Sequence, residues 1–313
     1  MAKKSIPAKV KLVRESKLKQ KKSNVHISFS QLSTYQNCNH KWYLQYVKKL
    51  LPYDPSIHAA FGTGMHETIQ KWLDVLYNDK VKTANEMDLD ALLYEEMVKA
   101  YKSQKAQNGH QTFSSAEEMQ MFFQDGKHIL NYLKKKRGGY FSTKGTHLAG
   151  IETLLYHEIK PGVMFKGFID LVFYNEISDT WLLVDLKTST SGWSKWAKED
   201  EVKTSQLVLY KEYFAKQFDI DVEKIDIEYF ILKRRVPKDA EFASMQKRVQ
   251  SFKPASGKVK RNKAVQGIEN FIDDAIGANN EFKDYKPYIT NPSKGNCMFC
   301  PAGRMQLCKD AVA

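Results

Sequence analysis

The chain has 313 residues, 42% of them hydrophobic, with 49 Lys and Arg against 36 Asp and Glu for a net charge of +13. That length and apolar content suffice for one large domain with a substantial core, and no run reaches the roughly eighteen apolar residues of a membrane-spanning helix. Four cysteines and a lysine-rich start without an apolar segment argue against a secreted, disulfide-stapled scaffold, so a reducing, cytoplasmic setting is expected.

Residues 1–24 carry nine Lys or Arg against Glu15 alone and are expected to be a flexible basic leader, suited to a polyanion or simply solvated. The remainder, 25–313, reads as a single domain. A helix is predicted from Ser30 to about Leu50, with Ser28 or Ser30 as N-cap. Next, Gly62-Thr63-Gly64-Met65-His66 opens a pattern of apolar residues at helix spacing, Ile69, Trp72, Leu73 and Leu76. This places the His66 imidazole in a first helical turn beside a tight bend. Helical patterns near 88–106 and 115–136 form an insertion over about 80–140, ending in the basic run Lys134 to Arg137.

Strands follow at 151–159, 163–174 and 181–187, then a helix at 202–218, a strand at 225–233 and a helix near 265–278. Residues 233–263 hold eleven Lys or Arg against Asp239 and Glu241, and such a basic insert is expected to flank a nucleic-acid channel. This order predicts an α/β fold, a mixed sheet flanked by helices with an N-terminal helical cap.

The chemistry concentrates in one hairpin. Gly167 to Val172 and Leu182 to Thr188 are rich in β-branched and apolar residues, and turn formers lie between them. A turn centred between Ile177 and Ser178 sets Asp170 across from Asp185, and the period of two puts Lys187 on the face of Asp185. Two carboxylates about 5 Å apart repel by roughly 3 kcal/mol at an effective dielectric near 20, so the pair needs a proton or a cation. Oxygen ligands favour a hard ion, Mg²⁺ or Mn²⁺. A cation beside an ammonium group suits phosphodiester hydrolysis, although a surface acidic row with an ordinary ion pair gives the same pattern.

Gln206 and Tyr210 lie four apart on one helix face. Glu152 is a further metal or supporting candidate, with Glu158 as its alternative. Cys297, Cys300 and Cys308 cluster near the C-terminus, and in a reducing setting they read with Cys38 as a metal site, zinc being the generic occupant. No G-x-x-x-x-G-K-[ST] loop occurs, so any unwinding must come from a helicase or recombination partner.

Asp170 followed by Asp185-Leu186-Lys187 resembles the core of the PD-(D/E)XK nuclease superfamily, in the branch of RecB- and AddB-like and CRISPR-associated exonucleases. The GxxxH form of residues 62–66, the QxxxY form of Gln206 to Tyr210 and the cysteine set occur in that family's order. The resemblance spans about residues 28 to 309. It implies a restriction-endonuclease-like fold with cysteine-clasped termini, and His66, Asp170, Asp185 and the Leu186 backbone as Mg²⁺ or Mn²⁺ ligands. It further implies Lys187, Gln206 and Tyr210 as catalytic or strand-positioning groups, and Cys38, Cys297, Cys300 and Cys308 as ligands of a [4Fe–4S] cluster. The spacing between the last two cysteines is longer than that family's usual one, which keeps zinc open.

The expectation is therefore a metal-dependent deoxyribonuclease, an exonuclease acting on single-stranded DNA ends in recombination, repair or phage DNA processing. A non-catalytic DNA-binding accessory protein and an iron–sulfur redox sensor are the alternatives. Trp193 and Trp196 are candidates for stacking on bases.

Overall fold

The computed structural model describes residues 6–16, 25–237 and 246–312. Helices α1 (Ala8–Arg14), α2 (Phe29–Asn37) and α3 (Asn39–Trp42) come first, with strand β1 (Val25–Ile27) before α2 and a π-helical turn, Tyr43–Val47, after α3. Ser28 is the N-cap of α2, its hydroxyl accepting from the Gln31 N–H. The single helix predicted to run to Leu50 is broken at Cys38, whose extended backbone ends α2 and begins α3.

Four helices follow: α4 (Ile57–Asn78), α5 (Val81–Glu86), α6 (Leu89–Gln107) and α7 (Ala116–Phe141). Then come β2 (Thr146–Lys160), β3 (Val163–Asn175), β4 (Thr180–Ser189), α8 (Lys195–Glu199), α9 (Glu201–Phe218), β5 (Ile225–Lys233), β6 (Val249–Phe252) and α10 (Lys258–Ala275). One-turn helices α11 (Lys294–Cys297) and α12 (Pro301–Arg304) close the chain. This is the expected α/β architecture, a mixed sheet of six strands between two helical layers.

Strand β3 is central. Strand β2 pairs antiparallel along one side of it. On the other side β1 pairs with its start, Val163 to Phe165, and β4 with its end, Leu171 to Asn175. Strand β4 then pairs in parallel with β5, and β5 antiparallel with β6. Residues 166–170 of β3 thus lie in a gap between two partners.

One sheet face packs on α2, α9 and α10 through Leu32, Phe165, Ile169, Leu207, Phe214 and Phe271. The other packs on α4, α6 and α7 through Met65, Trp72, Leu93, Leu130, Leu171 and Leu186.

Two expectations are corrected. The leader is expected to be flexible, yet residues 8–14 form α1, with Val10 and Val13 buried against the core that includes Ala149 of β2. Two valines three apart give even a lysine-rich segment an apolar stripe. Residues 1–5 and 17–24 lie outside the described residues.

The second correction concerns His66, which is not in a first turn. Helix α4 begins at Ile57 and runs straight through Gly62 and Gly64. The glycines serve close packing: a Cβ on Gly64 would stand 2.6–3.2 Å from Met97 of α6, and one on Gly62 would sit 3.4 Å from the Thr188 hydroxyl of β4. Gly62 thus lets α4 approach β4 one turn before His66, while Gly64 lets α6 close on α4.

Candidate active site

Asp170 and Asp185 meet where β3 and β4 part. The last ladder pair is Leu171 with Val184, and one further step in the same register sets Asp170 opposite Asp185, as the hairpin predicts. Beyond that point β4 follows β5, with Asp185 beside Tyr229 and Lys187 beside Ile231. The Asp170 carboxylate fills the fork, its Oδ2 accepting from the Leu186 N–H at 2.7 Å.

Asp185 is 3% exposed. Its Oδ2 lies 2.8 Å from the Lys187 ammonium, a buried ion pair within one strand. Lys187 also donates to Gln206 Oε1 at 3.2 Å, and Gln206 Nε2 donates to the Tyr210 hydroxyl at 3.3 Å. Helix α9 therefore presents both residues to the site from one face. Their approach depends on Gly167, where a Cβ would stand 2.9–3.1 Å from the Tyr210 ring. His66 Nδ1 reaches to 3.6 Å from Asp170 Oδ2.

The electrostatics follow from burial and from the opposed acids. Burial, then the charge of Asp185, pushes the Asp170 carboxyl up to about 8. Burial lowers His66 to about 4, with Asp185 opposing and Lys187 assisting. Burial works against the Lys187 charge, but Asp185 and Asp170 outweigh it and its pKa is raised. Burial also raises Tyr210. At neutral pH the site accordingly holds a largely protonated Asp170, a neutral imidazole, a charged ammonium and a protonated phenol.

The family model of the PD-(D/E)XK nuclease superfamily matches residues 26–305. The chain belongs to that superfamily. No curated protein matches it. A solved protein designated SSO0001 aligns over 97% of this chain and 94% of its own at 12% identity and a TM-score of 0.40, a likeness too loose to bear on function.

Nucleases of this superfamily usually work with Mg²⁺ or Mn²⁺. The residues here fit such an ion by donor chemistry: two converging carboxylates beside a neutral histidine. Among the described residues, no three His, Cys, Asp or Glu side chains are already drawn into a metal-holding group.

Sequence reasoning missed Gln70 in this PD-(D/E)XK site. It stands one helical turn after His66 on α4, is 3% exposed, and donates from Nε2 to Glu152 Oε1 at 2.6 Å and to the Asp170 carbonyl at 3.3 Å. The i,i+4 spacing from His66 is the signal that would have found it. Glu152 stands opposite Asp170, between the pairs Ile151–Leu171 and Thr153–Ile169, and its carboxylate accepts from the Gln70 amide. Glu158 does not; its carboxylate accepts from the Gly162 N–H and closes the β2–β3 turn.

The four cysteines are free and half-buried, and all line one small cleft. Asn291 and Asn296 both donate to the Asn37 carbonyl, and the His40 N–H to that of Ile289, which stitches the C-terminal arm to the α2–α3 junction.

The basic segments serve packing more than expected. Lys134 donates to the Met87 carbonyl and Arg137 to Asn85, tying α7 to α5 and the turn that follows it. Arg234 is buried, bonded to Asp125 and Thr190, with its guanidinium 3.9 Å from the centre of the Phe122 ring. Arg248 donates to the carbonyls of Lys233 and Arg234. Residues 238–245 of the insert lie outside the described residues. Trp193 packs on Tyr229 under the Lys203 ammonium, 4.4 Å from its ring centre, whereas Trp196 is 79% exposed.

Proposed function

We propose that this nuclease is a metal-dependent deoxyribonuclease that trims single-stranded DNA ends. The observation that carries the hydrolytic centre is the fork: two opposed carboxylates in register, with Lys187 held between Asp185 and Gln206. Asp170, Asp185, the neutral His66 and the Leu186 backbone would hold Mg²⁺ or Mn²⁺. When bound, the ion polarises the scissile phosphate and favours ionisation of the attacking water.

The chain's own groups do the rest. Lys187 orients the water and offsets charge building on the phosphate oxygens. Gln206 fixes the ammonium in place, and the protonated Tyr210 hydroxyl donates toward the strand. The site lies at a strand fork between side chains of α4 and α9. The exposed Trp196 offers a face on which an unpaired base stacks. We further propose a cytoplasmic setting in which a separate helicase or recombination partner supplies any unwinding, since this sequence carries no phosphate loop.

We also propose that Cys38, Cys297, Cys300 and Cys308 hold a [4Fe–4S] cluster, with zinc as the other occupant the thiols suit. Their common cleft supports this role, in which the cluster would clasp the two ends of the domain.

The test is to incubate end-labelled single- and double-stranded DNA with Mn²⁺ and read product lengths over time. Wild type should release short products from single strands, and Asp185→Ala should release none while still binding DNA. Undiminished cleavage by Asp185→Ala refutes the site.

A further inference from the structure

Helix α4 crosses the sheet at the active site and leaves part of one face bare. Gln70 meets the Asp170 carbonyl, and Tyr77, two turns on, packs against Phe173 with ring centres 5.6 Å apart. The helix therefore heads for the C-terminal end of β3, away from the residues that precede Asp170. Those same residues lack a strand on one side, since the β1 ladder stops at Phe165 and the β4 ladder at Leu171.

Phe168 stands in that stretch. Phe165 and Ile169 are buried on the α9 side of the sheet, and the Tyr210 ring lies against Gly167. Alternation sets Lys166 and Phe168 on the opposite face, the one from which His66 reaches Asp170. Phe168 is 44% exposed, and among the described residues no other large hydrophobic side chain of a strand is exposed. It pairs across the ladder with the half-buried Leu154, and Lys166 pairs with Tyr156. The Lys166 ammonium stands 5.9 Å from the centre of the Phe168 ring.

A single exposed hydrophobic side chain on a surface helix is ordinary. A phenyl ring left bare on the central strand, beside an ammonium group and two residues before Asp170, forms an apolar shelf at the mouth of the fork. Two residues of extended strand span roughly 7 Å, about one or two nucleotides of a single strand.

We infer that Phe168 is a stacking platform for an unpaired base next to the scissile phosphate, and that Lys166 offsets the charge of the adjoining phosphate. This rests on the nuclease reading and gives its single-strand preference a physical source. A base has to leave its own duplex stack to lay its face on a ring fixed to the sheet. Every base has such a face, so the platform favours single strands whatever their sequence.

The experiment measures DNA affinity of the full chain by anisotropy in EDTA, with thermal unfolding alongside, for wild type, Phe168→Ala, Phe168→Trp and Lys166→Ala. The probes are a labelled single strand, a blunt duplex, and single strands with one abasic site moved stepwise from the end. Phe168→Ala should bind the intact single strand about tenfold more weakly, as loss of one base–aromatic stack does, and the duplex as wild type does. Phe168→Trp should bind both as wild type does. One abasic position should weaken wild type by a similar factor and leave Phe168→Ala unaffected, because base and ring form one interaction. Lys166→Ala should flatten the slope of log affinity against log salt by about 0.7, one phosphate on a single strand.

Undiminished single-strand affinity in Phe168→Ala, a loss that Phe168→Trp does not restore, or abasic strands that penalise wild type and Phe168→Ala alike overturns the platform. An unchanged salt slope overturns the part given to Lys166. Cleavage by wild type in Mn²⁺ leaves the nuclease reading standing under each of these results, whereas wild type that cleaves no DNA in Mn²⁺ removes both.

Discussion

Replacing Asp170 with Asn should make the metal-free protein more stable, and the gain should depend on pH. Asp170 is 14% exposed at its side chain, and its carboxyl is pushed from 3.8 up to about 8 by burial and by Asp185. An acid whose folded pKa is raised favours the protonated form. The fold is therefore most stable with respect to this group below about pH 4, loses stability as pH rises toward about 8, and is flat above. At 1.36 kcal/mol per unit, the loss reaches roughly 4 kcal/mol by pH 7 as a ceiling; sharing of the proton with Asp185 and entry of water bring it to about 2 kcal/mol. Asparagine is neutral at every pH and keeps an oxygen for the Leu186 N–H. In EDTA at pH 7.5, Asp170→Asn should melt above wild type by a few degrees, since about 2 kcal/mol corresponds to roughly 3 °C in a domain of this size. At pH 4.5 the two should nearly coincide. Adding Mn²⁺ should raise the wild-type midpoint more at pH 8 than at pH 6 and leave the variant unmoved. A variant no more stable than wild type at pH 7.5, or a gap that ignores pH, would refute the view that two opposed acids are held together against their charge.

Lys187→Ala should lower cleavage by at least a hundredfold with DNA affinity within about threefold of wild type, measured by single-turnover release and by anisotropy. Gly167→Ala forces a methyl into the Tyr210 ring; the overpacking should cost about 1–3 kcal/mol in urea unfolding and depress turnover more than DNA binding. Cys300→Ser in anaerobically purified protein should abolish visible absorption near 400 nm and loosen the C-terminal arm, read as faster proteolysis after Asn291, while Asp185→Ala should leave both unchanged.

How much of this was legible beforehand depended on which interactions are local. The hairpin could be read because two apolar arms and a polar turn fix the register, and with it the opposition of Asp170 and Asp185. Gln206 and Tyr210 followed from helix spacing. The two glycines before His66 were misread as a bend because their use is tertiary: Gly64 exists for Met97, which lies over thirty residues away. Gln70 looked like any polar residue of an amphipathic helix, since nothing in the Glu67-Thr68-Ile69-Gln70 run tells that its amide is buried. Glu152, whose φ of +45° kinks β2 in its middle, leaves no trace in composition, because a kink in a strand is visible only when both sides of the sheet are known. In the leader, nine basic residues masked the two valines that determine its first half.

That short first helix has a practical side. Val13 packs within 3.6 Å of where a Cβ on Gly150 would stand, and Arg14 reaches the Leu148 carbonyl and Asn78 at the end of α4. The basic start of the chain is thus a brace laid across the very stretch of β2 that kinks at Glu152. Protein trimmed of its first 24 residues for convenience would lose more than charge: it would bare apolar strand surface and unshackle the neighbourhood of an acid two residues on. Poor solubility or weak activity in such a shortened protein would then report a missing buttress rather than lost attraction for DNA.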